Sequence, residues 1–92
     1  MSSVKLMKWM YALPLIEECN MLRLSGEIHT AYSHVHKIVL EMESKGYVTS
    51  IKKGRVKIHK LTEKGKELAA LCHKIVILFH EIEVENETHK EQ

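Results

Sequence analysis

The sequence predicts a single, mainly α domain with one small β-hairpin and a long helix near its C-terminal end. Three observations carry that expectation. Residues 31–44 place apolar side chains at helical spacing and stop at Gly46. Residues 47–61 hold two β-rich runs with Lys53-Gly54 between them. Residues 63–84 return to helical spacing and keep it for several turns. Ninety-two residues suit one domain, residues 1–84, with 85–92 as a polar, acidic, disordered tail. A chain this short buries proportionally little surface and leans on a partner subunit.

Residues 3–19 read as a first helix. Leu6, Met10, Leu13 and Glu17 mark one line along it, and Trp9, Leu13 and Ile16 another. Ser2 or Ser3 can cap its start. Pro14 lacks an N–H for Met10 and clashes with that carbonyl, so either the helix kinks there or a helix begins at Pro14. One kinked helix is the reading favoured. Residues 21–24, Met-Leu-Arg-Leu, read as a minor strand. Ser25 then caps a helix of little more than one turn, with Glu27 in its first turn and His29 at its end. Thr30 is the next cap and opens the helix from Ala31 to Ser44, which Gly46 ends in the left-handed conformation.

Within that helix, Val35, Ile38, Val39 and Met42 follow i, i+3, i+4, i+7 and mark the buried face. Ser33, Lys37, Leu40 and Ser44 lie opposite. In the hairpin, Tyr47–Lys52 and Arg55–Leu61 are the strands, and Val56 and Ile58 alternate inward against Arg55, Lys57 and His59. Thr62 caps the last helix, with Glu63 just inside it. Leu68, Leu71, Cys72, Ile75, Phe79 and Ile82 form its expected core stripe. Ala70, Ile77 and Val84 recur every seven residues on the other side. A helix apolar on two faces needs a second cover, and the same helix of another copy is the economical one. Ala70, Ile77 and Val84 are therefore the expected dimer interface.

The net charge of +2 is unevenly spread. Residues 1–30 are neutral. Residues 31–66 carry nine basic side chains against three acidic, a net of +6, and residues 67–92 carry a net of −4. A concentrated basic segment is the footprint of a polyanion partner. Its densest part is the turn Lys52-Lys53-Gly54-Arg55, where mutually repelling cations contribute little to folding and suit phosphate contacts. Charges on an edge hairpin also resist edge-to-edge aggregation.

Several function classes find no support. No apolar run reaches the ~20 residues of a membrane span, and the N-terminus lacks the pattern of a signal peptide. A cytoplasmic, nucleoid-associated protein is expected. Cys19 and Cys72 are too few for a disulfide scaffold and read as buried free thiols. The absence of Asp, with many Lys and Glu, leans toward a hyperthermophilic source, where a disulfide becomes plausible. His34 and His36 point apart on a helix, and His73 and His80 are too far apart for one ion, so no metal is expected. No phosphate loop, nucleophile elbow or carboxylate pair suggests catalysis, and no cofactor is implied.

The run SHVHKIVLEMESKGYV followed by IKKGRVKIHKLTEKGKELA resembles the winged helix-turn-helix of archaeal and bacterial transcriptional regulators of the MarR-like superfamily. The resemblance covers roughly Leu24 to Leu71. Its most specific pieces are Glu43-Ser44-Lys45-Gly46-Tyr47-Val48, the Lys53-Gly54-Arg55 tip, and Leu61-Thr62-Glu63-Lys64-Gly65. It implies that helix 31–44 is the recognition helix and that Lys53 and Arg55 form the wing. The size and long last helix look more like small archaeal dimeric winged-helix proteins. Full MarR proteins carry extra helices around a ligand cleft, so no small-molecule effector is implied.

The expected function is sequence-specific binding of double-stranded DNA by a homodimer, as a transcriptional repressor. Tyr32, Ser33, His34, His36 and Lys37 would meet base edges in the major groove. Lys45, Lys52, Lys53, Gly54, Arg55 and Lys57 would meet the backbone. Leu40 departs from the pattern, since a polar or basic group is usual there. The alternatives are a non-specific architectural DNA-binding protein and a winged-helix protein–protein module.

Overall fold

Pro14 ends the first helix. The computed structural model describes the backbone of residues 3–90 and the side chains of residues 5–82. Helix α1 runs Ser3–Ala12, and the chain then tightens into a 3-10 turn at Leu13–Leu15. The kink expected at Pro14 is thus a full break, and α1 stops short of residue 19. The 3-10 turn accepts proline near its start, where the missing N–H is not needed. Trp9, Ala12, Leu13 and Ile16 turn inward from this segment.

The next element corrects the sequence reading. Residues 21–24 form no strand. They begin helix α2, Met21–Glu27, whose first turn is closed by Asn20: its Oδ1 accepts the Arg23 N–H at 2.8 Å. Ser25 is inside the helix and donates to the Leu22 carbonyl. The place a third strand would take beside the hairpin is served instead by Glu17, whose Oε1 accepts the Leu61 N–H at 2.8 Å. Leu24 is fully buried and anchors α2 to the core.

Helix α3 spans Tyr32–Ser44. Its N-cap is Ala31, which offers no side-chain bond, and the Thr30 hydroxyl donates back to the Ile28 carbonyl instead. Val35, Ile38, Val39 and Met42 are all buried, as their spacing requires. Gly46, at φ +83°, reverses the chain after α3, a conformation that glycine adopts without a Cβ penalty.

Strands β1 (Val48–Lys53) and β2 (Val56–Leu61) pair antiparallel, with Val48 opposite Leu61 and Lys53 opposite Val56. The turn is Gly54-Arg55, one residue later than expected, with Gly54 at φ +62°. Val48, packed in the core with Leu61 against it, fixes which face of the hairpin looks inward. A period of two then turns Ser50 and His59 to the same side and leaves Ile51 and Val56 outside. The expected inward Val56 is 62 % exposed.

Helix α4, Glu63–Lys90, starts where α3, the hairpin and α4 all meet. The Thr62 hydroxyl accepts the Gly65 N–H at 3.0 Å and donates to the Gly46 carbonyl at 2.6 Å. The Thr62 N–H bonds to the Tyr47 carbonyl. Gly65 lies so close to that carbonyl that a Cβ there would overlap it. Tyr47 in turn meets the Trp9 ring edge-on, and Lys64 lies over its face. From this joint α4 runs to Lys90, past the expected end at Val84 and through most of the expected disordered tail. It buries Ala69 and Cys72 against α1 and the 3-10 turn.

Among the described residues no helix is long and apolar enough to cross a membrane. Both cysteines are free, and burial pushes the Cys72 thiol above its ordinary pKa. Gly65→Ala should destabilise the domain by about 2 kcal/mol or more, because the overlap is with backbone and cannot be relieved by a rotamer change. A calorimetric melt should fall by about 10 °C.

Candidate nucleic-acid interface

The outward face of α3 follows from the burial of the other one. Tyr32, Ser33, His34, His36 and Lys37 are all exposed, and so is Leu40. Lys37 is the one cation among them. Glu41 faces away from this surface, held 2.7 Å from Lys5 and 3.3 Å from Lys45. Lys5, helped by Lys45, keeps its carboxyl below the ordinary value. Lys45 also lies over the Trp9 ring at 5.7 Å. This lysine, expected on the DNA backbone, is thus engaged in the fold at the end of α3 away from Tyr32.

Lys52, Lys53, Gly54, Arg55 and Lys57 are exposed on the wing. Lys52 sits directly opposite Lys57 across the hairpin. Like charges in that position weaken a β-ladder, so they are not there for the fold. Glu43 on α3 relieves the conflict in part, with its Oε1 3.9 Å from Lys57 Nζ and 3.5 Å from His59 Nε2. That oxygen is buried and has no hydrogen bond, since both contacts are too long for one.

Glu43 and His59 were not singled out by the sequence reading. His59 had been placed on the outward side of β2. Its two-residue step from Leu61 is the signal that puts it inward. Its imidazole side chain is only 10 % exposed. Burial lowers its pKa below 6.5, outweighing the Glu43 carboxylate that raises it, while Lys57 and His36 lower it further.

Between α3 and β2 lies an open groove of about 350 Å³, lined by Asn20, Met21 and Leu22 at the start of α2, Tyr32 and His36 of α3, and Arg55, Lys57 and His59. No carboxylate lines it. The structure thus brings together Tyr32, His36, Arg55 and Lys57 from the expected contact residues, while Ser33, His34 and Lys37 lie elsewhere on α3. No group of three or more His, Cys, Asp or Glu among the described residues could hold a metal ion.

Two of the three residues of the expected α4 interface can be placed. Ala70 and Ile77 are exposed, and the side chain of Val84 lies outside the described residues. The larger apolar face is another one. Leu71, Ile75, Leu78, Phe79 and Ile82, mostly assigned to the core stripe, are all exposed, with Leu71 and Leu78 at 58 %. At 100° per residue they share one arc, next to the arc buried by Ala69 and Cys72 and away from Ala70 and Ile77.

No protein-family model and no curated protein matches the chain in sequence. Solved structures do match in shape. Sso10a-2, a DNA-binding protein from Sulfolobus solfataricus, is 21% identical with a TM-score of 0.63, over 92% of both chains. AF1382 from Archaeoglobus fulgidus is 21% identical with a TM-score of 0.67, over 86% of this chain and 91% of that one. The MarR family transcriptional regulator SPO1453 from Silicibacter pomeroyi is 22% identical with a TM-score of 0.63. The likeness covers 90% of this chain but 60% of SPO1453.

The fold is a winged helix-turn-helix. In its terms α2 and α3 are the helix-turn-helix, α3 is its second helix, and β1–β2 is the wing. His29, at φ +50°, sits in the turn between the two helices.

The titration of His59 makes the winged helix pH-sensitive. Its pKa is depressed on folding, so the unfolded chain binds the proton first and stability falls as pH drops below about 6.5. Chemical denaturation at about pH 7.5 and about pH 5.5 should show this loss, and His59→Gln should reduce it.

Proposed function

We propose that this protein is a homodimeric, sequence-specific DNA-binding transcriptional regulator that represses by occupying an operator. The observation that carries the reading is the pairing of an exposed, little-charged α3 face with a wing bearing Lys52, Lys53, Arg55 and Lys57. Helix α3 enters the major groove, where Tyr32, Ser33, His34 and Lys37 read base edges. The wing lies on the flanking backbone and supplies most of the affinity. Sso10a-2, a DNA-binding protein, and SPO1453, a transcriptional regulator, share this fold and support the assignment. Repression suits a chain with little surface left for recruiting polymerase.

The second copy covers the Leu71–Ile75–Leu78–Phe79–Ile82 face of α4 with its own. Burying five such side chains at ~1.5–3 kcal/mol each is an ample driving force. The symmetry then presents two recognition helices to half-sites about one turn, ~34–36 Å, or a multiple apart.

A second reading is a non-specific architectural protein, favoured by the concentration of charge on the wing. Specific and random duplexes separate the two, since specific affinity exceeds non-specific by ~10³ or more. Lys53→Ala with Arg55→Ala should weaken binding to every sequence and flatten the salt dependence by about one to two phosphate contacts. Lys37→Ala should instead change sequence preference, and a uniform loss would reduce α3 to a backbone contact. In sedimentation, Leu78→Glu should give a monomer and Ile77→Glu a dimer; the reverse would return the interface to the Ala70–Ile77 side.

A further inference from the structure

The groove between α3 and β2 has a composition the fold does not require. Two of the winged helix's seven histidines, His36 and His59, meet there with Arg55 and Lys57. All four can donate hydrogen bonds, and none of the groove's lining can compete as an anion. Tyr32 and Asn20 add a hydroxyl and an amide at its edge. Arg55 forms no ion pair among the described residues, and Lys57 reaches Glu43 only at 3.9 Å. Assembling four cationic or protonatable groups against the single, loosely held Glu43 carboxylate opposes folding, so the arrangement fits an oxyanion that enters from outside.

We propose that this groove is a seat for one backbone phosphate of DNA, bound by His36, Arg55, Lys57 and His59. The seat presupposes the DNA-binding reading above and adds a chemistry to it. His59 already has Nε2 turned toward the Glu43 carboxylate at 3.5 Å. With Glu43 on one ring nitrogen and a phosphate oxygen near the other, the ring must carry both protons, because a neutral imidazole has only one N–H. The buried Glu43 oxygen that lacks a hydrogen bond then gains a charged donor. His36 is close enough for its charge to weigh on His59. The phosphate offsets that repulsion and favours the protonated His59 ring.

The surrounding charges define the balance. From α3 come His36 and Glu43, and from the wing Arg55, Lys57 and His59. The start of α2 brings only the uncharged Asn20, Met21 and Leu22. Glu17 and Glu18 line an adjoining hollow that shares Asn20, Lys57 and His59 with the groove, and there Glu17 is taken by the Leu61 N–H. In the free protein burial, with Lys57 and His36 nearby, disfavours the protonated His59 ring. DNA binding therefore takes up protons, and affinity rises as pH falls, by up to about tenfold per pH unit for each proton taken up.

The test is fluorescence anisotropy of a labelled duplex at constant ionic strength, from about pH 8 to about pH 6. Wild type, His36→Gln, His59→Gln and the double variant are compared. Wild type should bind more tightly at the lower pH. Each substitution should reduce the slope of log Kd against pH, and the double variant should nearly abolish it. At about pH 8 the affinities should agree within about threefold. His36→Gln changes an exposed residue, so the test stands whatever His59→Gln does to folding. A wild type that binds DNA without pH dependence, or a slope kept in the double variant, overturns the seat. DNA that binds at no pH removes the DNA-binding reading and the seat with it. Inorganic phosphate separates the sources. If it shifts the His36 and His59 ring resonances and DNA does not displace it, the groove holds a free oxyanion rather than the backbone.

Discussion

Everything the protein presents to a partner is aimed from one joint. The Thr62 hydroxyl ties the Gly46 carbonyl to the first turn of α4, and the Thr62 N–H ties both to Tyr47. Gly65 is pressed against the Tyr47 carbonyl. Those few atoms set the exit of α3, both roots of the wing and the start of α4. The stacking of Trp9, Tyr47 and Lys64 braces the joint from the side. These contacts set the angle between α3 and the wing, and the direction in which α4 leaves. In the dimer proposed above, that geometry would fix the separation of two recognition helices.

Around this joint, charge is divided by task. The exposed face of α3 is polar but almost uncharged, which suits discrimination by hydrogen bonds better than general attraction. The wing carries closely spaced cations, some set against one another across the hairpin. Glu43, at the end of α3 with one carboxylate oxygen buried, is the link between the two. It holds Lys57 and His59 loosely, at distances that leave its own oxygen unsatisfied. A loosely held histidine beside an exposed arginine is a chemistry for an anion, and the groove they line is open to one.

Much of this was legible in the sequence because it depends on short-range spacing. The buried face of α3 follows from Val35, Ile38, Val39 and Met42 alone, and the Thr62 cap and Gly46 stop are local signals too. What failed was decided by distant partners. Residues 21–24 suit a strand or a helix, and Asn20 settles the matter only once Glu17 has taken the edge of β2. The period of the wing was visible, but its inward face was set by Val48 and Leu61 at the root, which turned Val56 out and His59 in. Helix α4 is apolar around much of its circumference. Which arc is covered depends on where α1 lies, and α1 covers Ala69 and Cys72 rather than Leu71 and Phe79. His59 and Glu43 fell outside the reading for the same reason: their meeting is tertiary.

The most direct measurement is selection of bound fragments from a pool of random duplex DNA, followed by sequencing. The account predicts enrichment of a two-fold symmetric site whose halves lie about one helical turn, or a multiple, apart. Fragments retained with no common sequence would contradict base reading by α3 and leave an architectural protein. Retention of none at low salt would contradict DNA binding altogether.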